Sequence, residues 1–143
     1  MDSYPTRLGV RSLDVDAELD RIFRSAARLW NAHRFFAFHD TLEEAWKMVK
    51  HERKAEPAND PRRDFYHGLI LYAAAYVHWM KGNAIGVGRK LADARRLLRD
   101  SMTGPHGLDL GRFRGLVEAD LARGATGEKY APKRVPPLVV ENG

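Results

Sequence analysis

The segment from Phe65 to Met80, FYHGLILYAAAYVHWM, constrains the fold more than any other part of this chain. Placed on a helix at about 100° per residue, its apolar side chains cover the whole circumference. A helix that is apolar on every side must be covered by other helices. The segment is shorter than the roughly 20 residues that cross a bilayer, and it carries two histidines. We therefore predict an all-α bundle of about five helices around a buried central helix, residues 65–81, and no membrane partner.

The chain length favours one domain, because 143 residues suffice for a single hydrophobic core. The sequence contains no cysteine, which excludes a disulfide framework and thiolate metal ligands. The polar N-terminus has no hydrophobic region of the kind found in signal peptides. These observations predict a cytoplasmic protein. The net charge of +5 permits contact with nucleic acid but does not require it.

Two helices are predicted before the central one. Helix one runs from about Asp16 to Asn31, after a loose start over residues 1–13. Helix two follows a short break and presents an apolar stripe at helical spacing. Its members are Phe35, Phe38, Leu42, Ala45, Trp46 and Val49. The polar, proline-containing run over residues 51–63 is predicted to be a loop.

Two helices are predicted after the central one. Gly82 suits the left-handed position after a helix, and Asn83 suits the N-cap of helix four. Close approach to a neighbouring helix would explain Gly86 and Gly88 in helix four. Asp109 is a predicted N-cap for helix five, whose stripe is Leu110, Phe113, Leu116, Val117 and Leu121. We expect a domain over residues 1–123 and an extended arm over residues 124–143, docked through Tyr130 and residues 138–140.

Two sequence segments resemble one known family. LWNAHRFFAFHDTLEEAW and FYHGLILYAAAYVHWMKGNAIGVGRKL are similar to the paired motifs of the all-helical family catalogued as domain of unknown function 309. The resemblance runs from about Leu29 to Leu121, because Gly107-Leu108-Asp109 fits a later turn. It implies a compact helical bundle and no settled activity. The matching residues are His39, Leu42, Glu43, Trp46, Gly68, His78, Gly82 and Asn83. Asp40 stands where the family has glutamate, so its carboxylate reaches one methylene less far.

A polar cluster is predicted beside the central helix. His39 and Glu43 are spaced i, i+4 and share one helix face. If helix two packs on the Gly68/Ala75/His78 side of the central helix, His78 joins them. We favour a structural network, because a buried glutamate must be paired and two histidines would satisfy it. The alternative is a divalent-metal or small-ligand site formed by His39, Glu43 and His78, with Asp40 nearby.

The other polar and aromatic residues are predicted to have structural roles. We expect Trp30, Trp46 and Trp79 in the core, and Tyr72 and Tyr76 as core residues with hydrogen-bonded hydroxyls. Three histidines, His33, His51 and His106, lie in predicted turns or loops and carry no functional signal. Helix four is basic through Arg89, Lys90, Arg95, Arg96 and Arg99. We interpret that face as solvated, because acidic residues interrupt it and it has no aromatic platform for bases.

Three functions from different classes follow from these observations. The leading hypothesis is a non-catalytic binding or interaction module with a structural His/carboxylate cluster between helices. The alternative is a metal-dependent, hydrolase-like enzyme that uses His39, Glu43 and His78. The third is an RNA-contacting protein that acts through helix four. The sequence assigns no catalytic residue, cofactor or protein partner, and it leaves homo-oligomerisation open.

Overall fold

The computed structural model describes residues 4–52 and 60–141, with side-chain environments over 14–51 and 60–141. Within those residues the chain forms five α-helices, one 3-10 turn and no strand, which confirms the predicted all-α bundle. The helices are α1 (Tyr4–Asn31), α2 (Phe35–Glu52), α3 (Pro61–Met80), α4 (Ala84–Leu98) and α5 (Leu110–Ala125). The 3-10 turn (Pro132–Arg134) lies in the C-terminal arm.

The α3 helix is the centre of the bundle, as its sequence predicts. It packs against α2, α4 and α5, and aromatic contacts join it to α1. Trp30 of α1 is fully buried beside Phe35 of α2, Tyr76 of α3 and Phe113 of α5. One aromatic ring therefore contacts three other helices. No described helix is both long enough and apolar enough to cross a membrane.

Two helix starts differ from the prediction. The α1 helix begins at Tyr4 rather than near Asp16, so the predicted loose start is helical from residue 4. The α3 helix begins at Pro61, because Asp60 caps it by accepting a hydrogen bond from the Arg62 amide at 2.9 Å. Proline suits the first helical position, which needs no amide hydrogen. Residues 53–59 of the predicted loop lie outside the described residues.

The two predicted N-caps after α3 are present. Gly82 has φ +76°, and the Asn83 side chain accepts a hydrogen bond from the Gly86 amide at 2.9 Å. The Asp109 side chain accepts from the Arg112 amide at 3.1 Å at the start of α5. These residues set sharp ends for α3, α4 and α5.

The prediction that α2 covers the Gly68/Ala75/His78 side of α3 is wrong, because α4 lies there. A Cβ added to Gly68 would lie 2.5 Å from Leu98 Cγ, and one added to Gly86 would lie 2.6 Å from the His78 ring. Each helix thus contributes a glycine to the close α3–α4 crossing. The α2 helix packs on a different side of α3, where Phe35 stacks on Tyr76 at 4.6 Å.

The C-terminal arm packs along α1 and α3. Trp30 donates a hydrogen bond from Nε1 to the Pro136 carbonyl at 2.8 Å. The Asn31 side chain bonds both the amide (2.8 Å) and the carbonyl (3.0 Å) of Leu138. Leu138 is buried and Tyr130 half-buried, whereas Val139 is exposed. Leu116 of the predicted α5 stripe is also exposed, so its assignment to the core is wrong.

Candidate functional site

The N-terminal half of α2 presents a polar and aromatic surface to solvent, here called the α2 face. It consists of Phe36, His39, Asp40 and Glu43, which share one side of the helix through i, i+3, i+4 and i+7 spacing. The Phe36 ring is 66% exposed and stacks on the His39 ring with centroids 6.1 Å apart. His39 Nδ1 donates to Asp40 Oδ1 at 3.3 Å, because a carboxylate only accepts.

The structure brings three of the four predicted site residues together. One ligand atom from each of His39, Asp40 and Glu43 lies within 4.8 Å of the others. Asp40 therefore reaches the cluster despite its shorter side chain. His78 is elsewhere: its Nδ1 accepts from the Asn83 amide nitrogen at 3.1 Å, and its ring lies over Gly86 of α4. The difference follows from the α3–α4 crossing, which takes the His78 side of α3.

The α2 face does not form a dry helix crossing. Asp40 is exposed, and His39 and Glu43 are only partly buried. Exposed carboxylates keep their hydration and need no buried partner. Glu43 is therefore half-buried and is not the fully buried glutamate that the predicted structural network assumed. One imidazole and two carboxylates at this separation can coordinate a divalent cation such as zinc or manganese.

An apolar groove adjoins the α2 face, between the start of α2 and the end of α3. This α2–α3 groove has a volume of about 480 Å³. Its apolar lining is Phe35, Phe36, Ala37, Val77 and Met80. Met80 is 52% exposed at its rim.

The rim of the groove carries two cations, Arg34 and Lys81. Both are exposed, and neither has an ion pair within the described part of the chain. An exposed apolar surface with charged edges is typical of an interaction site.

Trp46 lies one turn beyond the α2 face and is only half-buried, so its prediction as a core residue is wrong in part. Its ring packs against His67 of α3 at 4.9 Å, and Lys50 Nζ lies 4.2 Å above it. Burial lowers the pKa of His67 below its usual value. Trp46 therefore packs between α2 and α3 beside the α2 face, and Lys50 covers one face of its ring.

A second histidine cluster, absent from the sequence prediction, links α1, α3 and the α4–α5 connection. His106 Nδ1 donates to Asp20 Oδ1 at 3.1 Å, and Tyr66 donates its hydroxyl to His106 Nε2 at 2.6 Å. Arg24 donates to the other Asp20 oxygen at 2.8 Å. The imidazole stacks on Phe23 with centroids 4.6 Å apart. The sequence placed His106 in a turn without a functional signal, and these contacts give it a structural role.

The pKa values of all three titratable groups in this second cluster are shifted from their usual values. Burial lowers the pKa of His106 against the opposing effect of Asp20, and it raises the pKa of Tyr66. The hydrogen bond from Arg24 lowers the pKa of Asp20. His106 has a hydrogen-bond partner at each ring nitrogen, and its side chain is 8% exposed. The cluster holds α1, α3 and the α4–α5 connection together through hydrogen bonds. The sequence gave little indication of it, because His106 and Asp20 are 86 residues apart.

A third polar group lies between α3, α5 and the C-terminal arm. The Tyr72 hydroxyl donates to Glu118, and the Tyr76 hydroxyl donates to Asp120 at 2.7 Å, as predicted for core tyrosines with hydrogen-bonded hydroxyls. Burial raises the pKa of Asp120. Among the described residues, Asp120 Oδ1 and the Tyr130 hydroxyl are buried without a hydrogen-bond partner.

The basic face of α4 is partly neutralised. Arg95 pairs with Glu118 at 3.1 Å, Arg96 with Asp93 at 3.1 Å, and Arg99 with Asp100 at 3.4 Å. Three of the five predicted cations are thus in ion pairs, which reduces the potential they present to a nucleic acid.

Comparison with known proteins supports the resemblance seen in the sequence. The model of the family described as "Domain of unknown function (DUF309)" matches residues 23–89, which confirms the predicted relationship for that segment. The match includes the α2 face and ends before Gly107. An "Uncharacterized protein" from Aquifex aeolicus (strain VF5) is 26% identical over 117 residues, 82% of this chain. The chain spans about one third of that relative's length (32%). No solved structure matches this chain.

Proposed function

We propose that this protein is a non-catalytic binding module whose ligand contacts the α2 face and the α2–α3 groove. The observation that carries the proposal is the exposure of Phe36 and Met80, 66% and 52%, at the rim of an apolar groove of about 480 Å³. Two large apolar side chains beside one concave surface favour an interaction site over scattered surface exposure.

The charges around the groove indicate what it binds. Arg34 and Lys81 flank the apolar surface without intramolecular ion pairs in the described residues. A ligand with apolar groups and at least one anionic group satisfies both features. Charged groups at the edge of such a site fix orientation, while the apolar contact supplies most of the affinity.

The dye 8-anilinonaphthalene-1-sulfonate tests this proposal directly, since it combines aromatic rings with a sulfonate. Dilute folded protein should enhance its fluorescence. Phe36→Ala and Met80→Ala should each reduce the enhancement several-fold, because each removes apolar surface from the groove. Arg34→Gln should weaken dye binding less, because an exposed charge contributes modestly.

Ile85→Ala is the matched control. Ile85 is 69% exposed, on α4, and does not line the groove. Its loss should leave the dye signal unchanged. Equal losses in Ile85→Ala and Phe36→Ala would show that the dye reports general surface hydrophobicity, and the proposed site would be wrong.

A divalent-metal site is a second candidate, favoured by the convergence of His39, Asp40 and Glu43 within 4.8 Å. A bound ion with open coordination positions would supply the Lewis acid that a hydrolase-like activity requires. Calorimetric titration with Zn²⁺ or Mn²⁺ tests it. Binding by the wild type and its loss in His39→Ala, with His67→Ala as a histidine control, would support this candidate. Absence of titratable binding in the wild type would exclude it.

A further inference from the structure

We infer that docking of the C-terminal arm depends on the protonation of Asp120: the arm is held more tightly while this buried carboxyl group carries a proton. The inference is independent of the α2 face and the α2–α3 groove. It is carried by the position of the carboxyl group, which lies where α3, α5 and the arm meet.

The Asp120 side chain is only 4% exposed, and its two oxygens have different surroundings. The Oδ2 atom accepts the hydrogen bond from the Tyr76 hydroxyl of α3 at 2.7 Å. Within the described part of the chain, no group donates a hydrogen bond to Oδ1, and Arg123 Nη1 lies 3.5 Å from it. Burying an ionised carboxylate with one oxygen short of a donor costs free energy.

Three residues of the arm surround this carboxyl group on the side away from α3. Glu128 and Arg134 interact electrostatically with Asp120, and Asp120 raises the pKa of Tyr130. The Tyr130 ring packs edge-on against Tyr76 with centroids 6.4 Å apart. Its hydroxyl is buried, and no described residue hydrogen-bonds to it. The arm therefore helps to keep water from Asp120.

The direction of the effect follows from the pKa of Asp120, which is raised above its usual value. Burial is the largest cause of this rise. The hydrogen bond from Tyr76 and the charge of Arg123 oppose it. On the arm, Arg134 opposes it too, whereas Glu128 supports it. Burial exceeds the opposing effects, so the docked protein favours the protonated form.

Undocking of the arm would admit water to Asp120 and return its pKa towards the usual value of about 3.9. The docked state therefore binds this proton more tightly than the undocked state. By linkage, docking is strongest below about pH 3.9, where both states are protonated, and weakens as the pH rises to the docked pKa. The loss is at most about tenfold per pH unit in that range, and above it docking is constant.

Two hydrogens report directly on the position of the arm. The Trp79 indole donates its hydrogen to the Glu128 carbonyl at 2.6 Å, and the Leu138 amide donates to the Asn31 side chain at 2.8 Å. Both should exchange with solvent when the arm undocks. The Trp46 indole, which packs on α3, is an internal control, because its ring contacts no arm residue in the described structure.

Asp120→Asn tests the inference, because the amide keeps the shape of the side chain and an acceptor for Tyr76 but does not titrate. Hydrogen exchange of the two reporters is measured by NMR in the wild type and the variant at matched pH, so that the intrinsic pH dependence of exchange cancels. The ratio of protection in the variant to that in the wild type should rise several-fold between about pH 4 and about pH 7. Asp93→Asn makes the same change in a surface ion pair of α4, and it should keep the wild-type profile.

Parallel pH profiles in the wild type and Asp120→Asn would overturn the inference. Weaker protection in Asp120→Asn at every pH would also overturn it, since the ionised carboxylate would then hold the arm through the nearby arginines.

A second measurement uses the wild type alone and does not depend on the folding of a variant. Carbon NMR should show the Asp120 carboxyl group titrating above about pH 3.9, with protection of Trp79 and Leu138 falling at the same midpoint and protection of Trp46 unchanged. A carboxyl group that titrates at its usual pKa, or reporters that do not follow its titration, would contradict the inference.

Discussion

The two histidine clusters of this protein have opposite environments. His106 is buried, stacked on Phe23, and hydrogen-bonded through both ring nitrogens to Tyr66 and Asp20. His39 stands on the outer face of α2, with one 3.3 Å contact to an exposed carboxylate. The sequence predicted the reverse, since it placed His39 between helices with Glu43 and His78, and His106 in a turn. The role of a histidine is set by the elements that cover it, not by its own helix.

The largest expected effect follows from removing the buried ring. His106→Asn should lower the free energy of unfolding by about 2–3 kcal/mol, because it leaves the Tyr66 hydroxyl and Asp20 without their partner and opens a space on Phe23. Asparagine tolerates the positive φ of +65° at this position, so backbone strain is not the cause. His39→Asn should cost less than about 0.5 kcal/mol. Urea denaturation of both variants measures the difference, and equal losses would contradict the contrast.

A smaller loss of unfolding free energy is expected when one buried hydroxyl is removed. Tyr66→Phe should cost about 1–2 kcal/mol, because it leaves His106 Nε2 buried without a donor. Tyr130→Phe is the control. The Tyr130 hydroxyl is buried without a hydrogen-bond partner among the described residues, so its removal should be neutral or slightly stabilising. A loss in Tyr130→Phe equal to that in Tyr66→Phe would show that hydrogen bonding to His106 is not the deciding factor.

The fold was more predictable than the site, for a physical reason. Helical periodicity and the caps Asn83 and Asp109 are local signals, and the structure has both caps where the sequence predicts them. Which helix covers the Gly68 side of α3 is a non-local choice. It depends on Gly86 and Leu98 fitting together, and no spacing within α3 specifies that.

The prediction of the site was wrong in part for the same reason. The i, i+4 spacing correctly placed His39 and Glu43 on one face, and Asp40 joined them. The addition of His78 required α2 to lie where α4 lies. The Tyr66–His106–Asp20 chain spans three elements, and its only local signal was the turn of Gly107, with φ +76°. Helical periodicity could therefore not predict the site contacts that join elements distant in the sequence.

The pH dependence of stability should also distinguish the two clusters. Burial holds the pKa of His106 below its unfolded value of about 6.5, against the raising effect of Asp20. Arg24 on α1 and Arg62 on α3 also lower it. The unfolded chain therefore binds a proton more readily, so this contribution is fully present above about pH 6.5 and is lost as the pH falls through the folded pKa.

The measurement is the unfolding free energy at about pH 7.5 and about pH 5, on either side of the unfolded pKa. The wild type should lose stability between them, and His106→Asn should lose less, because the titrating ring is gone. His67, whose pKa is also lowered by burial, keeps its contribution in both proteins. An identical pH dependence in the two proteins would show that His106 does not titrate between these values.

The smallest effect is expected at Glu43, and it completes the contrast. A glutamate held by two histidines in a dry crossing would cost about 1–3 kcal/mol when replaced by alanine. Glu43 is instead partly exposed without an ion pair in the described residues, so Glu43→Ala should change the unfolding free energy by less than about 0.5 kcal/mol.

Melting the wild type and Glu43→Ala with and without a chelator distinguishes a bound ion from a structural network, should the loss prove larger. A loss that requires metal-loaded protein would indicate an ion at the α2 face, since a ligand that binds only the folded state stabilises it. A large loss that is indifferent to chelator would instead restore the structural network that the exposed α2 face argues against.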